Sequence, residues 1–478
     1  MNNKKKKANR RLKCVGEDRI SELPDAIIIH ILSLLASTKL CVKTCVLSKR
    51  WHHLWTFVPN IIFDEHDFPY ILFDERRHHI MERVVNKTLA LRSSSKLNNF
   101  SIQISDIQDM YPSFESWLQL AVERAVESLT LDFIHNGHSS TGYLLPQFLY
   151  SNSHIRILTT EVCEFVPDGR ISWSALKELS IRQATLTDEV IQNILYGTPL
   201  LEDLELNFCH GIKLLDLSLK PKLKNLVVNV QVLHVNDSRY YHFELKIVGP
   251  YVETLKLSWS RDNFKCKLMN MSSLVKATLD IDFLDDDDYI EEWYPNMVKE
   301  LVENVLPAEQ LQLTNYCTQA LSTLRMDVMA SLSSNLRSLD VDCRGEEYLY
   351  GIECVLQCAH KLEKLVIFFD YGRSSKSKYD GYTKDYWTNA EIPSCLDSHL
   401  KTIEISGLIR TRVVVEFLQF LLKNSRVLDK MVLRHFNHKY GLILAERLSS
   451  YPRSSQKAVF LAPKSISKAT LNFKELFL

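Results

Sequence analysis

Apolar residues follow one spacing up to Trp55 and another after it. Between Asp18 and Trp55 the spacing is helical: Ile27, Ile28, Ile31, Leu32 and Leu35 stand at i, i+1, i+4, i+5 and i+8, predicting one helix with a broad apolar face. Pro24 precedes it, where a missing backbone N–H costs nothing and the fixed φ favours the first turn. Ser37 or Thr38 is suited to cap a second short helix with Val42, Cys45 and Val46 on its stripe, and Ser48 a third carrying Trp51, Leu54 and Trp55. Helices this short bury little among themselves, so the module is expected to dock on another surface.

Beyond Trp55 the unit becomes apolar-x-x-apolar-x-apolar. It recurs at Leu97/Phe100/Ile102, Val126/Leu129/Leu131, Leu176/Leu179/Ile181, Leu201/Leu204/Leu206, Leu223/Leu226/Val228 and Val252/Leu255/Leu257. Further copies are Leu274/Ala277/Leu279, Ala308/Leu311/Leu313, Leu336/Leu339/Val341, Leu362/Leu365/Ile367, Leu400/Ile403/Ile405 and Leu428/Met431/Leu433. The last two apolar positions of each unit share one face of a short strand, while the first anchors the turn into it. Helical stretches fall between several units: Thr187 is placed to cap a helix with Val190, Ile191, Ile194 and Leu195 inward, and Ile352 to Ala359 and Phe417 to Leu422 repeat the pattern. One unit alone buries too little to offset the entropy of ordering it, so the units are expected to stack as one continuous solenoid.

Composition narrows the class. The 478 residues are 46% apolar and 24% charged, which suits a soluble globular chain. Basic and acidic residues balance at 58 each, which argues against nucleic acid as a partner. The longest apolar stretch, Ala26 to Ala36, is too short to span a bilayer, so no membrane association is expected. The 11 cysteines contain no CxxC pair and no secretory leader is visible, which points to a reducing compartment and free thiols. Residues 1–16 form a basic tail, expected to be disordered, that reads equally as a nuclear-import signal or a solvated arm; a nuclear or cytoplasmic location follows.

Known families now come into view. Asp18, Ile20, Leu23, Pro24, Asp25, Ile31, Leu32, Leu35 and the run Val46-Leu47-Ser48-Lys49-Arg50-Trp51, with Leu54 and Trp55, resemble the plant F-box pattern. The loop Ala36 to Cys41 departs from that pattern by one extra residue and by lacking Pro. The repeat spacing lies in the leucine-rich-repeat range, with Leu201-Glu-Asp-Leu204-Glu-Leu206-Asn-Phe-Cys209 the fullest match. Ile392 to Ile405, Phe417 to Leu422 and Asn424 to Met431 resemble the FBD domain of the same plant proteins, although Arg410, Thr411 and Arg412 replace its acidic helix start. The expected fold is α/β: a small all-helical F-box over 17–60, then an irregular leucine-rich-repeat solenoid over 61–390 with a curved parallel sheet and outer helices. An FBD-like cap over 391–445 and a tail or last strand over 446–478 complete it.

The resemblance implies a substrate-recognition subunit of a Skp-cullin-F-box ubiquitin ligase. The F-box would bind a Skp-type adaptor, and through it a cullin and a RING subunit, while the repeats hold a target protein for ubiquitination. Residues implied in adaptor contact or its immediate support are Leu23, Pro24, Ile27, Ile31, Leu32, Leu35, Val46, Leu47, Trp51 and Trp55. Target contacts are expected on the concave strand positions, among them Glu178, Asp203, Glu205, Lys256, Asp340 and Lys364. A non-ubiquitylating scaffold and a small-molecule co-receptor are the competing readings.

Catalytic motifs are missing from the sequence. It has no GxxxxGK[ST], GxSxG, HExxH or GxGxxG, so no cofactor and no enzymatic role is expected. Cys41/Cys45 and Cys354/Cys358 share helical spacing without a second pair nearby, and the acidic run Asp285 to Asp288 lacks the glycine of a calcium loop, so no metal is expected either.

Overall fold

The structure is a computed structural model, described for residues 20, 22–68, 76–92, 96–104, 111–133, 142–230, 243–259, 264–281, 293–323, 334–343, 345, 348–369, 386–407, 412–434 and 446–461. The basic tail, Arg410 and Thr411, the Asp285–Asp288 run and the residues past 461 lie outside these. The chain divides into two compact units, Met1–Asn136 and Gly137–Leu478.

The first unit begins with short helices at Asp25–Ser33, Thr38–Lys43 and Trp51–Leu54, the last two joined by a 3₁₀ turn at Thr44–Val46. Pro24 immediately precedes the first helix, and the Ser37 hydroxyl accepts the Leu40 N–H at the start of the second. Ser48 accepts the Trp51 N–H at 3.5 Å, so it serves the start of the third helix as expected. Three parallel strands follow, Asn60–Asp64, Asn99–Ile104 and Ser128–Phe133, alternating with helices Arg76–Leu91 and Tyr111–Glu123. Ile61, Phe100 and Leu129 are in register, as are Phe63, Ile102 and Leu131, and all six are buried.

The second unit is built on twelve parallel strands that pair in chain order, from Ile157–Glu161 through Glu178–Arg182 and Asp203–Asn207 to Val459–Leu461. Register is residue for residue, so one apolar ladder runs Leu158, Leu179, Leu204, Leu226, Leu255, Ala277, Leu311, Leu339, Leu365, Ile403, Met431, every rung no more than 3% exposed. Parallel sheets are commonly covered on both faces. Here burial alternates along most strands, leaving one face of the sheet open.

All twelve expected repeat units form strands at the expected positions. Two strands of these ladders were not expected, and a third decides an alternative left open. Asn60–Asp64 carries the same pattern in Val58, Ile61 and Phe63, hidden behind the helical module. Ile157–Glu161 puts Thr160, fully buried, at the third apolar position, which breaks the pattern. Val459–Leu461 pairs with Lys430–Arg434, so of the tail or last strand expected over 446–478 a strand forms, following the segment expected to close the stack.

The covering layer differs more. Helices Asp188–Gly197, Trp293–Val305, Asn315–Ser322, Leu349–Cys358 and Arg412–Asn424 cover part of the sheet, the first capped by Thr187 as expected. Between the first two, where no element was expected, Leu214–Asp216, Phe243–Val248 and Phe264–Met269 form a second, three-stranded parallel sheet. The cause is local. Phe264-Lys-Cys266-Lys-Leu268 alternates apolar and polar with period two, which suits a half-buried strand and gives a helix no apolar stripe.

Candidate functional site

Two surfaces stand out, one in each unit, and the first is built around a closed core. Ile28, Leu32, Cys41, Trp51, Leu54, Trp55 and Val58 pack together, with Leu23, Ile29, Leu35 and Cys45 at the margin. Polar groups inside are satisfied locally: the Cys41 thiol donates to the Leu32 carbonyl at 3.2 Å, and the Trp55 indole N–H to the His52 carbonyl at 3.1 Å. Arg50 spans the module, donating to the Leu23 carbonyl at 2.5 Å and, through Nε, to the Asp25 carboxylate at 2.7 Å. Leu23-Pro24-Asp25 is thereby tied to Ser48-Lys49-Arg50-Trp51, the two halves of the sequence pattern.

The residues singled out from sequence sort into three groups. Leu32, Trp51 and Trp55 are 1%, 4% and 7% exposed and belong to the core, where they shape the module from within. Leu23 and Leu35 are half-buried. Pro24, Ile27, Ile31, Val46 and Leu47 face outward, Val46 at 87% exposed. The first helix therefore carries two stripes, Ile28 and Leu32 inward and Ile27, Ile31 and Leu34 outward at i, i+4 and i+7. Sequence reasoning merged them and omitted Leu34, 73% exposed, together with Leu40 and Phe57. Val42 and Val46, expected on a packing stripe, are exposed, and Cys41 fills the core position instead. So many large apolar side chains on so small a module form an exposed apolar patch.

The second surface is the open face of the long sheet. Glu178 and Asp203 are register partners on adjacent strands and Glu205 lies one lane over; all three line a groove of about 310 Å³. Arg182 reaches both Glu161 and Glu205 at 3.9 Å. This end is acidic. Lys256 stands apart, in register with Val227 and Thr278. Toward the other end Glu404 takes Lys364 at 3.0 Å and Arg434 at 2.9 Å. Burial pushes the Glu404 carboxyl up, but the Lys364 and Arg434 contacts outweigh it and leave the group below its usual range. Asp340 is held above its range by burial, with Lys364 opposing and Glu404 adding to the effect. The structure thus gathers Glu178, Asp203 and Glu205 at one place and Asp340 with Lys364 at another.

Cys209, the expected inner-turn residue, donates its thiol to the Ile181 and Asn207 carbonyls at 3.3 and 3.6 Å, and burial pushes that thiol up to about 12. The thiols of Cys266, Cys354 and Cys395 are also pushed up by burial, to about 12, which disfavours the thiolate a nucleophile needs. Among the described residues no group of three His, Cys, Asp or Glu side chains is placed to hold a metal ion, and no helix is long and apolar enough to cross a membrane.

Comparison with known proteins agrees with this geometry. The family model described as At1g61320/AtMIF1, LRR domain, matches residues 88–471. The putative F-box/LRR-repeat protein At3g18150 of Arabidopsis thaliana is 30% identical over 443 residues, covering 88% of this chain and 87% of that one. The chain belongs to the plant F-box/LRR-repeat family. A further relative, the F-box/LRR-repeat protein At3g03360 of Arabidopsis thaliana, is 29% identical over 470 residues and spans 94% of this chain and 91% of its own length. F-box/LRR-repeat protein 25 of the same plant is 30% identical over 242 residues, 51% of this chain and 86% of that one. The matched LRR domain includes the segment that resembles an FBD domain, whose strands Thr402–Gly407 and Lys430–Arg434 continue the ladder of this F-box/LRR-repeat protein.

Proposed function

We propose that this chain is the substrate-recognition subunit of a Skp-cullin-F-box ubiquitin ligase. Its N-terminal module docks on a Skp-type adaptor, which brings the cullin and RING subunits. The open face of the long sheet holds a target protein, and the chain itself performs no chemical step. The observation that carries this reading is the outward stripe of Ile27, Ile31 and Leu34 with Val46 and Leu47, set over a core that is already complete without it. Such a stripe has no role inside the module, and burying it on a partner helix groove recovers the hydrophobic free energy that exposure forgoes. Under this reading the complex works in the nucleus or cytoplasm.

Co-purification of the full chain with a Skp-type adaptor tests it. The wild type is expected to capture the adaptor, and a triple variant Ile31→Asp, Val46→Asp, Leu47→Asp to lose capture while melting as the wild type does, because these side chains add nothing to the core. Capture by the variant, or none by the wild type beside an F-box protein that succeeds, would remove the proposal. Ubiquitin transfer is tested separately: a target that accumulates when the proteasome is inhibited supports the ligase, whereas one whose abundance does not respond supports a scaffold.

A further inference from the structure

Glu353 lies on the helix Leu349–Cys358 and is 1% exposed. One carboxylate oxygen, Oε2, accepts the Tyr386 hydroxyl at 2.8 Å. The other, Oε1, is buried and has no hydrogen-bond partner among the described residues. A buried carboxylate is stable when a cation or several donors surround it. Among the described residues the titratable neighbours of Glu353 are instead Tyr386, Glu391 and the Cys354 thiol, with Tyr350 set edge-on against the Tyr386 ring at 4.7 Å.

Among the described residues, the elements packed on this helix bring no cation to Glu353; the helix Trp293–Val305 meets its far end, where Glu303 acts on the Cys358 thiol and pairs with Lys299 at 3.5 Å. Helix Asn315–Ser322 brings Tyr316 and Cys317 as its titratable residues and presents backbone: the Thr318 carbonyl faces Gly351, and the Leu321 carbonyl accepts the Cys354 thiol. Helix Ser394–Ser398 brings Cys395, whose thiol goes to the Leu356 carbonyl, and Asp397, which is paired with Arg426 at 2.9 Å. At the helix end His360 meets the Ser394 hydroxyl.

The element that bonds Glu353 is small. Tyr386–Asn389 is a four-residue helix with Thr388 and Asn389 exposed. Its Trp387 rests on Phe417 and Phe420, with ring centroids at 4.7 and 5.4 Å. Trp387 and Phe420 in turn form part of the lining of a cleft of about 440 Å³, together with Ile392, Gln419, Lys423 and Tyr451. Displacing this one turn takes the Tyr386 hydroxyl away from Glu353 and moves Trp387, part of the wall of the cleft.

We propose that Glu353 and Tyr386 form a proton-controlled latch: with Glu353 neutral the Tyr386–Asn389 helix is seated, and ionisation releases it and opens the cleft beside Trp387. The carboxyl is suited to this role, since burial pushes it up to about 7, with Glu391 adding and the Tyr386 hydrogen bond opposing. The sign follows. Because the folded value lies above the ordinary 4.5, the seated state is favoured most below about pH 4.5, loses ground as pH rises toward about 7, and changes little beyond it.

Hydrogen exchange on the full chain tests the latch by comparing wild type with Glu353→Gln, which keeps the shape and an acceptor for Tyr386 but carries no charge. At about pH 8 the amides of residues 386–392 are expected to exchange roughly a hundred-fold more slowly in Glu353→Gln than in wild type, and at about pH 4.5 the difference shrinks to about two-fold or less. Equal exchange at both pH values, or a difference spread over the whole chain, would overturn the proposal. A second variant, Tyr386→Phe, removes the bond and keeps the ring; it is expected to speed exchange of the same amides at both pH values. Wild-type exchange in that variant would equally overturn it.

Discussion

Arg50 is where the short N-terminal motif becomes a structure. Its guanidinium joins a carbonyl and a carboxylate at the start of the first helix, so the order of that helix depends on a residue 25 positions away from Asp25. The Arg50–Asp25 pair is largely solvated, with side chains 38% and 60% exposed, so its charge component is small. Arg50→Ala is expected to destabilise the module by about 1 kcal/mol, chiefly through the lost bond to the Leu23 carbonyl. Amide exchange over Asp25–Ser33 checks this, and undiminished protection there would assign the anchoring elsewhere. At this scale the sequence was legible in identity but not in direction. Ile27 and Ile28 are adjacent and chemically alike, and only the packed structure shows that one is 45% exposed and the other not at all.

The helices and strands were read with uneven success for a physical reason. All twelve units read from three apolar residues at the strand positions formed, while Val58, Ile61 and Phe63, with the same pattern, went unread beside the helical spacing that precedes them. Thr160 hid a strand because a buried threonine looks polar in a list of residues. The second sheet was missed although its alternation is plain, because a search for one motif passes over strands lacking that motif's first anchor. Contact between covering elements is close at Gly351, where an added Cβ would run into the Thr318 carbonyl of the neighbouring helix. Alanine there gains about 1 kcal/mol in helix propensity. It forces two helices apart at a cost of about 1–3 kcal/mol or more. Gly351→Ala is therefore expected to lower the melting temperature, and a rise would show that the helices have room to separate.

Across the molecule, charge is arranged with less symmetry than the ladder beneath it. Paired Lys364, Glu404 and Arg434 occupy one region of the open face, and the net-acidic groove of Glu178, Asp203 and Glu205 another. If this face holds the target, reversing Glu178 and Asp203 to Lys leaves adaptor capture and melting nearly unchanged, because both are surface positions whose substitutions cost about 0.5 kcal/mol or less. Target co-capture should fall, with the loss smaller at high salt. Unchanged co-capture would move target recognition off the sheet. The repeat architecture was largely legible from spacing alone, because every unit must offer the same rung to its neighbour. Clustering of the face residues was not, since Asp340 and Lys364 are distant in sequence and meet only through register.

That register also makes the sheet a ruler. From the strand Asp203–Asn207 to the strand Lys364–Phe369 there are six pairing steps, roughly 29 Å along the sheet at the usual strand spacing. A partner touching both charged regions must span that distance, which takes about nine residues of extended chain or about twenty of helix. Shorter recognition segments meet one region or the other, so the length of the engaged segment, as much as its composition, decides which charges it encounters.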